Sequence, residues 1–283
     1  MSVPESFHKF GSATGEKGLA QVELARVGTK TVISKLRTRV PLLVQKALYP
    51  DTGLPGMAHV YLMSSAGGIL QGDRMEIDIT AGSNTSSRIT TQAATKIYKM
   101  NRGYATQNVA ISAQDTSYLE FIPHQLIPFK ASRFYQQVDI QLEQNSTVVY
   151  SETVSAGRTA SGESFDFEIL VLKLTAHDSK GGILFADAAR LEPCKDDLER
   201  LFGGKTLWSM TYVMTPDSDS VSKQVHAAIK DSSVLAGCST LPHDCGLIIR
   251  MLDDSIDKVG QLTDAVAKIA RSCALSMAAA ART

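Results

Sequence analysis

Three residue types able to ligate a transition metal crowd together near the C-terminal end: Cys238, His243 and Cys245, with Asp244 between the last two. Thiolate, imidazole and carboxylate suit zinc or nickel. The Cys-x4-His-x-Cys spacing matches none of the closed tetrahedral sites, so the segment reads first as a loop histidine between two buried cysteines ahead of a strand. His8, His59, His124, His177 and His226 are isolated in the sequence. No tight metal site follows from any of these residues. Nucleophilic catalysis finds no support either. There is no Gly-x-Ser-x-Gly elbow, no His-Glu-x-x-His and no Cys-x-x-Cys, and Ser64-Ser65 precedes glycines without a strand-to-helix pattern.

The run Gly67-Gly68-Ile69-Leu70-Gln71-Gly72-Asp73 holds three glycines and a carboxylate. Glycine permits positive φ or a close backbone approach, and a glycine loop brings phosphate binding to mind. A phosphate loop needs a Gly-Lys-Ser/Thr run or Gly-x-Gly-x-x-Gly opening a helix. Here no lysine follows, and Met75, Ile77 and Ile79 alternate with Glu76, Asp78 and Thr80 in the period of a strand. The loop is a tight turn between strands, and nucleotide binding is set aside.

The elements around this loop repeat coarsely. An alternating strand, a polar turn and a second strand occur at Ile77/Ile79, at Val109/Ile111 and at Val138/Ile140, 32 and then 29 residues apart. A fourth copy is expected over Phe165–Leu174, the turn His177–Gly182 and the strand Ile183–Ala186. Strand pairs stacked on their neighbours indicate an elongated, solenoid-like β architecture. The copies share pattern and not residues, so a sandwich stays open at this point. Val22 and Leu24 followed by Thr31–Leu36 read as a strand pair around Gly28. Beyond Pro216, Val221, Val225, Ala228 and Ile229 mark an amphipathic helix begun by Asp219 or Ser220. A longer helix carries Ile256, Val259, Leu262, Val266, Ile269 and Cys273. The expected layout is a loose arm over residues 1–18, a β-rich body over 19–215, and an α/β annex over 216–283 packed on the same domain.

Composition sets limits on function. The 283 residues are 43% hydrophobic, enough for a sizeable core. Lys+Arg and Asp+Glu are 29 each, which leaves no basic footprint for nucleic acid. No apolar run approaches the roughly 20 residues that span a bilayer, and MSVPESFHKF has no apolar signal core. Four sparse cysteines favour a reducing, cytoplasmic setting over a disulfide framework.

GGILQGD at Gly67–Asp73 and TTQAATKIY at Thr90–Tyr98 resemble the signature of the urease accessory protein D family, also called H. The likeness continues through Leu119–Pro123 and Ala156–Glu163, and more faintly through Gly246–Leu252. It therefore covers most of the chain in order. The resemblance implies a mainly β fold, an elongated β-helix-like body with a few α-helices at its C-terminal side. It implies a non-enzymatic maturation factor that docks apo-urease and recruits a helical accessory protein (F-type). That protein brings the nickel-delivering GTPase (G-type), so GTP is bound by the partner.

The same resemblance points to Asp73, Glu120, Glu163 and Asp187 as oxygen ligands along a path for transient nickel(II), binding briefly and releasing as conduction requires. Each also reads as a turn cap or as the ion-pair partner of a residue such as Arg158. Gly67, Gly68, Gly72, Gln92, Lys96, Tyr98, Pro123, Gly157, Arg158 and Gly162 fall on the motifs as structural or interface residues. The tail Ala278–Thr283 departs from the family pattern, which leaves partner docking on that side open. The rival reading is a β-solenoid enzyme or binding module acting on an extended substrate along one flank. Aromatic content of only 6% weakens it.

Overall fold

Alternation gives the strands of the first sheet one apolar and one more polar face. The computed structural model, which describes residues 3–280, brings the apolar faces of two sheets together. The chain opens with a hairpin, β1 (Lys17–Val27) and β2 (Lys30–Arg39), and continues through β3 (Leu42–Val44) and β4 (Ala58–Ser64). Three coils follow: β5 (Arg74–Ala81), β6 (Ser86–Thr91) and β7 (Thr95–Ile97); β8 (Ala105–Ala113), β9 (Tyr118–Phe121) and β10 (Leu126–Pro128); β11 (Arg133–Leu142) and β12 (Thr147–Ser155). A second hairpin, β13 (Ile169–His177) and β14 (Ile183–Leu191), leads through the short α1 (Leu198–Leu201) to β15 (Leu207–Met214). The chain ends in α2 (Ser218–Lys230), β16 (Leu235–Thr240), β17 (Gly246–Asp253) and the long α3 (Ile256–Ala280).

The result is a β-solenoid of about four turns. One sheet stacks β1, β5, β8, β11 and β13 in parallel, closed by antiparallel β2 and β14. The other stacks β4, β6, β9 and β12 in parallel, with β3 at one end and β15, β17 and β16 at the other. The repeat read from the sequence is realised in register: Ile77 pairs with Val109, Val109 with Val138, and Val138 with Leu174. On the facing sheet Val60, Ile89, Phe121, Tyr150 and Tyr212 follow one another. Their rings stack at 5.9 Å (Phe121–Tyr150) and 6.1 Å (Tyr150–Tyr212). This aromatic ladder is buried, so it offers no stacking platform to an extended ligand outside.

Several expectations change in detail. The fourth copy does not continue onto the second sheet; the turn after His177 folds β14 back beside β13, because Asp178 gathers the backbone N–H groups of Lys180 and Gly182 into a tight reversal. Helix α2 begins slightly earlier, at Ser218, capped by Asp217 through the Ser220 N–H. Within the stretch expected as a loose arm, residues 5–10 form a 3-10 helix. Its Phe7 is buried against Tyr135, Ile169 and Val171 on the outer face of the first sheet. The tail beyond residue 280 lies outside the described residues.

Helices α2 and α3 cover the outer face of the second sheet. Val221, Val225, Val259, Leu262 and Val266 pack on Val149, Val213, Leu247 and Ile249. Strand β12 is consequently buried along its whole length, on both faces. Among the described residues no helix is long and apolar enough to cross a membrane. Val225 is fully buried in this layer, so Val225→Asp places an unpaired carboxylate there, at a cost of about 3–5 kcal/mol by analogy with broken buried ion pairs. The variant should melt far below the wild type or aggregate. Exposed Lys223→Glu on the same helix should melt as the wild type does, and a soluble Val225→Asp with unchanged melting would remove α2 from the core.

Candidate functional site

The glycine loop runs along a third, narrow edge of the solenoid. Ile69 forms a parallel bridge with Ile97, β7 pairs with β10, and Leu126 pairs with Val154 of β12. Gly68 is required by proximity: a Cβ there would lie 2.5 Å from the Lys96 carbonyl and 2.6 Å from the Tyr98 ring. Gly72 is required by its positive φ of +80°. Asp73, buried at the end of the loop, accepts the N–H of Leu70 and of Glu16, both at 2.8 Å. Its carboxylate thereby closes the turn and ties the chain before β1 to it. Tyr98 reaches back to the Gly67 carbonyl at 3.3 Å.

Behind this edge lies a cavity of about 270 Å³ between the two sheets. Exposed Gly67, Gln92, Ala93, Lys96 and His124 form its mouth, with Gly68 and Pro123 beside them. Its floor is polar: Gln107 donates to Gln136 at 2.7 Å, and Gln136 donates to Glu152 and to the Tyr150 hydroxyl. Tyr150 in turn donates to Glu152 Oε1 at 3.0 Å. Both donors converge on Oε1, and no donor among the described residues reaches Oε2. Burial pushes the Glu152 carboxyl up to about 7, against the pull of the Tyr150 and Gln136 hydrogen bonds. Glu152 is absent from the sequence-derived candidates. Its signal is parity: on β12 it shares the inward face with Val148, Tyr150 and Val154.

The four carboxylates named from the resemblance are dispersed. Asp73 belongs to the loop clasp just described. Glu120 is fully buried on the outer face of the second sheet, under α3. It accepts from Tyr118 at 2.7 Å and Arg271 at 2.8 Å, and pairs with Arg88 at 3.2 Å. Glu163 closes on Arg158 and accepts the Lys130 N–H at 3.2 Å; the Arg158 hydrogen bond holds its carboxyl below the usual range. Asp187 accepts from Tyr212 at 3.0 Å and from Arg250 at 2.8 Å. Only Asp187 adjoins the cavity floor electrostatically, raising the Glu152 carboxyl across the Tyr150–Tyr212 stack.

Of the remaining motif residues, Gly157 adopts φ +141° beside the Glu163 and Pro128 carbonyls, and Gly162 turns the chain in the left-handed region. Among the described residues no three His, Cys, Asp or Glu side chains converge on a metal-holding geometry. Cys238 sits on β16 opposite Ile249, whereas His243 and Cys245 belong to the following turn. Burial pushes both thiols up, away from the thiolate that a metal needs.

Two expectations follow. Between pH 4.5 and about 7 the folded protein keeps a proton on Glu152 that the unfolded chain has released. Stability therefore falls as pH rises through this window and levels off above it, by on the order of 3 kcal/mol in total. Glu152→Gln should flatten that slope and melt no lower than the wild type at pH 8; melting temperature against pH reads it directly. Asp73→Ala strands two backbone N–H groups that now meet a charge, and should cost about 3 kcal/mol. Glu163→Ala removes an ion pair to the exposed Arg158, and should cost less than Asp73→Ala. Equal losses for the two variants in chemical denaturation would contradict this division of roles.

Comparison with known proteins agrees with the residue pattern. The family described as UreD urease accessory protein matches residues 16–283. The urease accessory protein UreD of Cenarchaeum symbiosum is 39% identical over 273 residues, 95% of each chain. The urease accessory protein UreD 2 of Streptomyces griseus is 34% identical over 276 residues, 95% of this chain and 94% of that one. In Brucella canis the protein of that name is 36% identical over 245 residues, 84% of this chain and 81% of that one. The chain thus belongs to the UreD family of urease accessory proteins, non-catalytic chaperones of urease maturation.

Proposed function

We propose that this chain is the maturation factor that contacts urease itself, in the cytoplasm. In this reading it docks apo-urease, engages the helical F-type accessory protein and, through it, the nickel-delivering G-type GTPase. Nickel(II) is cargo, passed inward to the urease active site. The observation that carries the reading is the convergence of separate signature segments, Gly67–Asp73 and Thr90–Tyr98, on the mouth of one internal cavity with a carboxyl at its floor.

The chemistry of the floor suits a cargo. A divalent ion needs oxygen or nitrogen donors to replace part of its water shell, yet must leave again. Glu152 provides one carboxyl, with Gln107 and Gln136 beside it. A carboxyl titrating near 7 exchanges its proton for an ion without a large standing charge in the interior. Asp187, beyond the tyrosine stack, continues the line toward Arg250. Asp73, Glu120 and Glu163 are engaged in holding turns and helix, and in this reading they support the path without ligating the ion.

Co-expression of urease with and without this chain at limiting nickel tests the proposal. Urease made without the chain should be abundant, nickel-poor and inactive. Glu152→Gln should preserve the complex in pull-down while lowering urease nickel content severalfold. Full nickel loading in the absence of the chain would refute it.

A further inference from the structure

The motif edge carries three lysines, Lys96, Lys99 and Lys130, that form no ion pair among the described residues. Tyr98 and Phe129 stand opposite each other on neighbouring coils, their rings T-shaped at 4.9 Å. Backbone bonds bracket the next pair: Phe129 N–H to the Ile97 carbonyl at 2.9 Å, and Met100 N–H to the Ala131 carbonyl at 3.2 Å. Lys99 and Lys130 therefore follow on neighbouring coils, just beyond the paired ends of β7 and β10.

Among the described residues neither lysine forms an ion pair, and Lys96 forms none either. Arg158 lies with its guanidinium 4.3 Å from the centre of the Phe129 ring and closes on Glu163. The other carboxylate nearby is Asp166, whose carbonyl accepts the Ala131 N–H. Lys96, Lys99, Lys130 and Arg158 are all exposed. Lys96 also lines the cavity mouth, so the cationic strip and the opening form one continuous surface.

We propose that this edge, with the unpaired Lys96, Lys99 and Lys130 flanking the Tyr98–Phe129 pair, docks an acidic segment of apo-urease and holds the cavity mouth against the enzyme being matured. The inference rests on the maturation reading above. Charge complementarity sets the occupant: the strip spans only a few coils and presents fixed positive charge beside planar rings, a surface matched by clustered carboxylates. Rim charges of this kind act mainly on association and make it sensitive to salt.

The experiment titrates purified apo-urease against the full-length chain at low and at physiological salt. Wild type should bind, more weakly as salt rises. Lys99→Glu/Lys130→Glu should bind about tenfold more weakly or worse, with its melting temperature preserved. The reversal Lys223→Glu/Lys258→Glu, on exposed helix positions, should bind as wild type does. Should the first reversal fold poorly, Lys99→Gln/Lys130→Gln serves in its place and should still weaken binding severalfold. Unchanged binding by a folded strip variant overturns the docking assignment alone. Failure of the wild type to bind apo-urease overturns both this inference and the maturation reading. Retention on single-stranded DNA that the strip variant loses, with urease binding intact, reassigns the strip to nucleic acid and overturns it too.

Discussion

Each inward side chain of this molecule is pressed between its equivalents one coil before and one coil after, and most of the structure depends on that stacking. Ile77, Val109, Val138 and Leu174 form one such column, and Ile89, Phe121, Tyr150 and Tyr212 another. A parallel ladder in register allows no independent choice at a single position: side-chain volume added in one coil must be accommodated by the next. Interiors at this density respond to changes of a single methylene group. The aromatic column succeeds because its rings stack nearly parallel, at interplanar angles of 25° and 19°.

The same rule explains why the polar floor of the cavity is confined. Gln107 and Gln136 face each other in adjacent coils of one sheet, as the pairing of β8 with β11 requires. Glu152 meets Gln136 from the opposite sheet. A polar column of this kind must be satisfied from within, and the hydroxyl of Tyr150, itself part of the aromatic column, completes it. The cavity is the space left where two adjacent coils supply amides, a phenol and a carboxyl in place of close-packed hydrocarbon. It adjoins the narrow edge, where Gly68 brings backbone within reach of Lys96 and Tyr98.

The solenoid itself was legible in the sequence because its coils are alternating strands at near-regular spacing, and Ile77, Val109 and Val138 could be aligned by eye. The hairpin around Gly28 and the apolar stripe of α2 were legible for the same reason: each is a local pattern. What stayed hidden depends on distance. Glu120 announces a carboxylate, but its partner Arg271 lies 151 residues away. Asp187 finds Tyr212 across a chain reversal. Glu152 escaped notice because β12 is buried on both faces, so Ser151 and Thr153 are buried as it is and its strand shows no polar-out alternation. The motif residues were recognisable as a set, whereas their meeting at one cavity mouth is a property of coil stacking.

Helix α3 packs against strands contributed by residues far upstream: the Tyr118 hydroxyl lies 3.0 Å from the Ala267 carbonyl, and Arg271 reaches Glu120 and Asp51. Coils can stack one upon another as they leave the ribosome, in chain order. The outer face of the second sheet, with Tyr118, Val149, Val213 and Leu247, has to wait until the last helix has been synthesised. Emerging chains with uncovered apolar sheet are prone to associate. Until α3 is synthesised that flank is covered by α2 alone, and the apolar sheet still uncovered is open to capture by other chains.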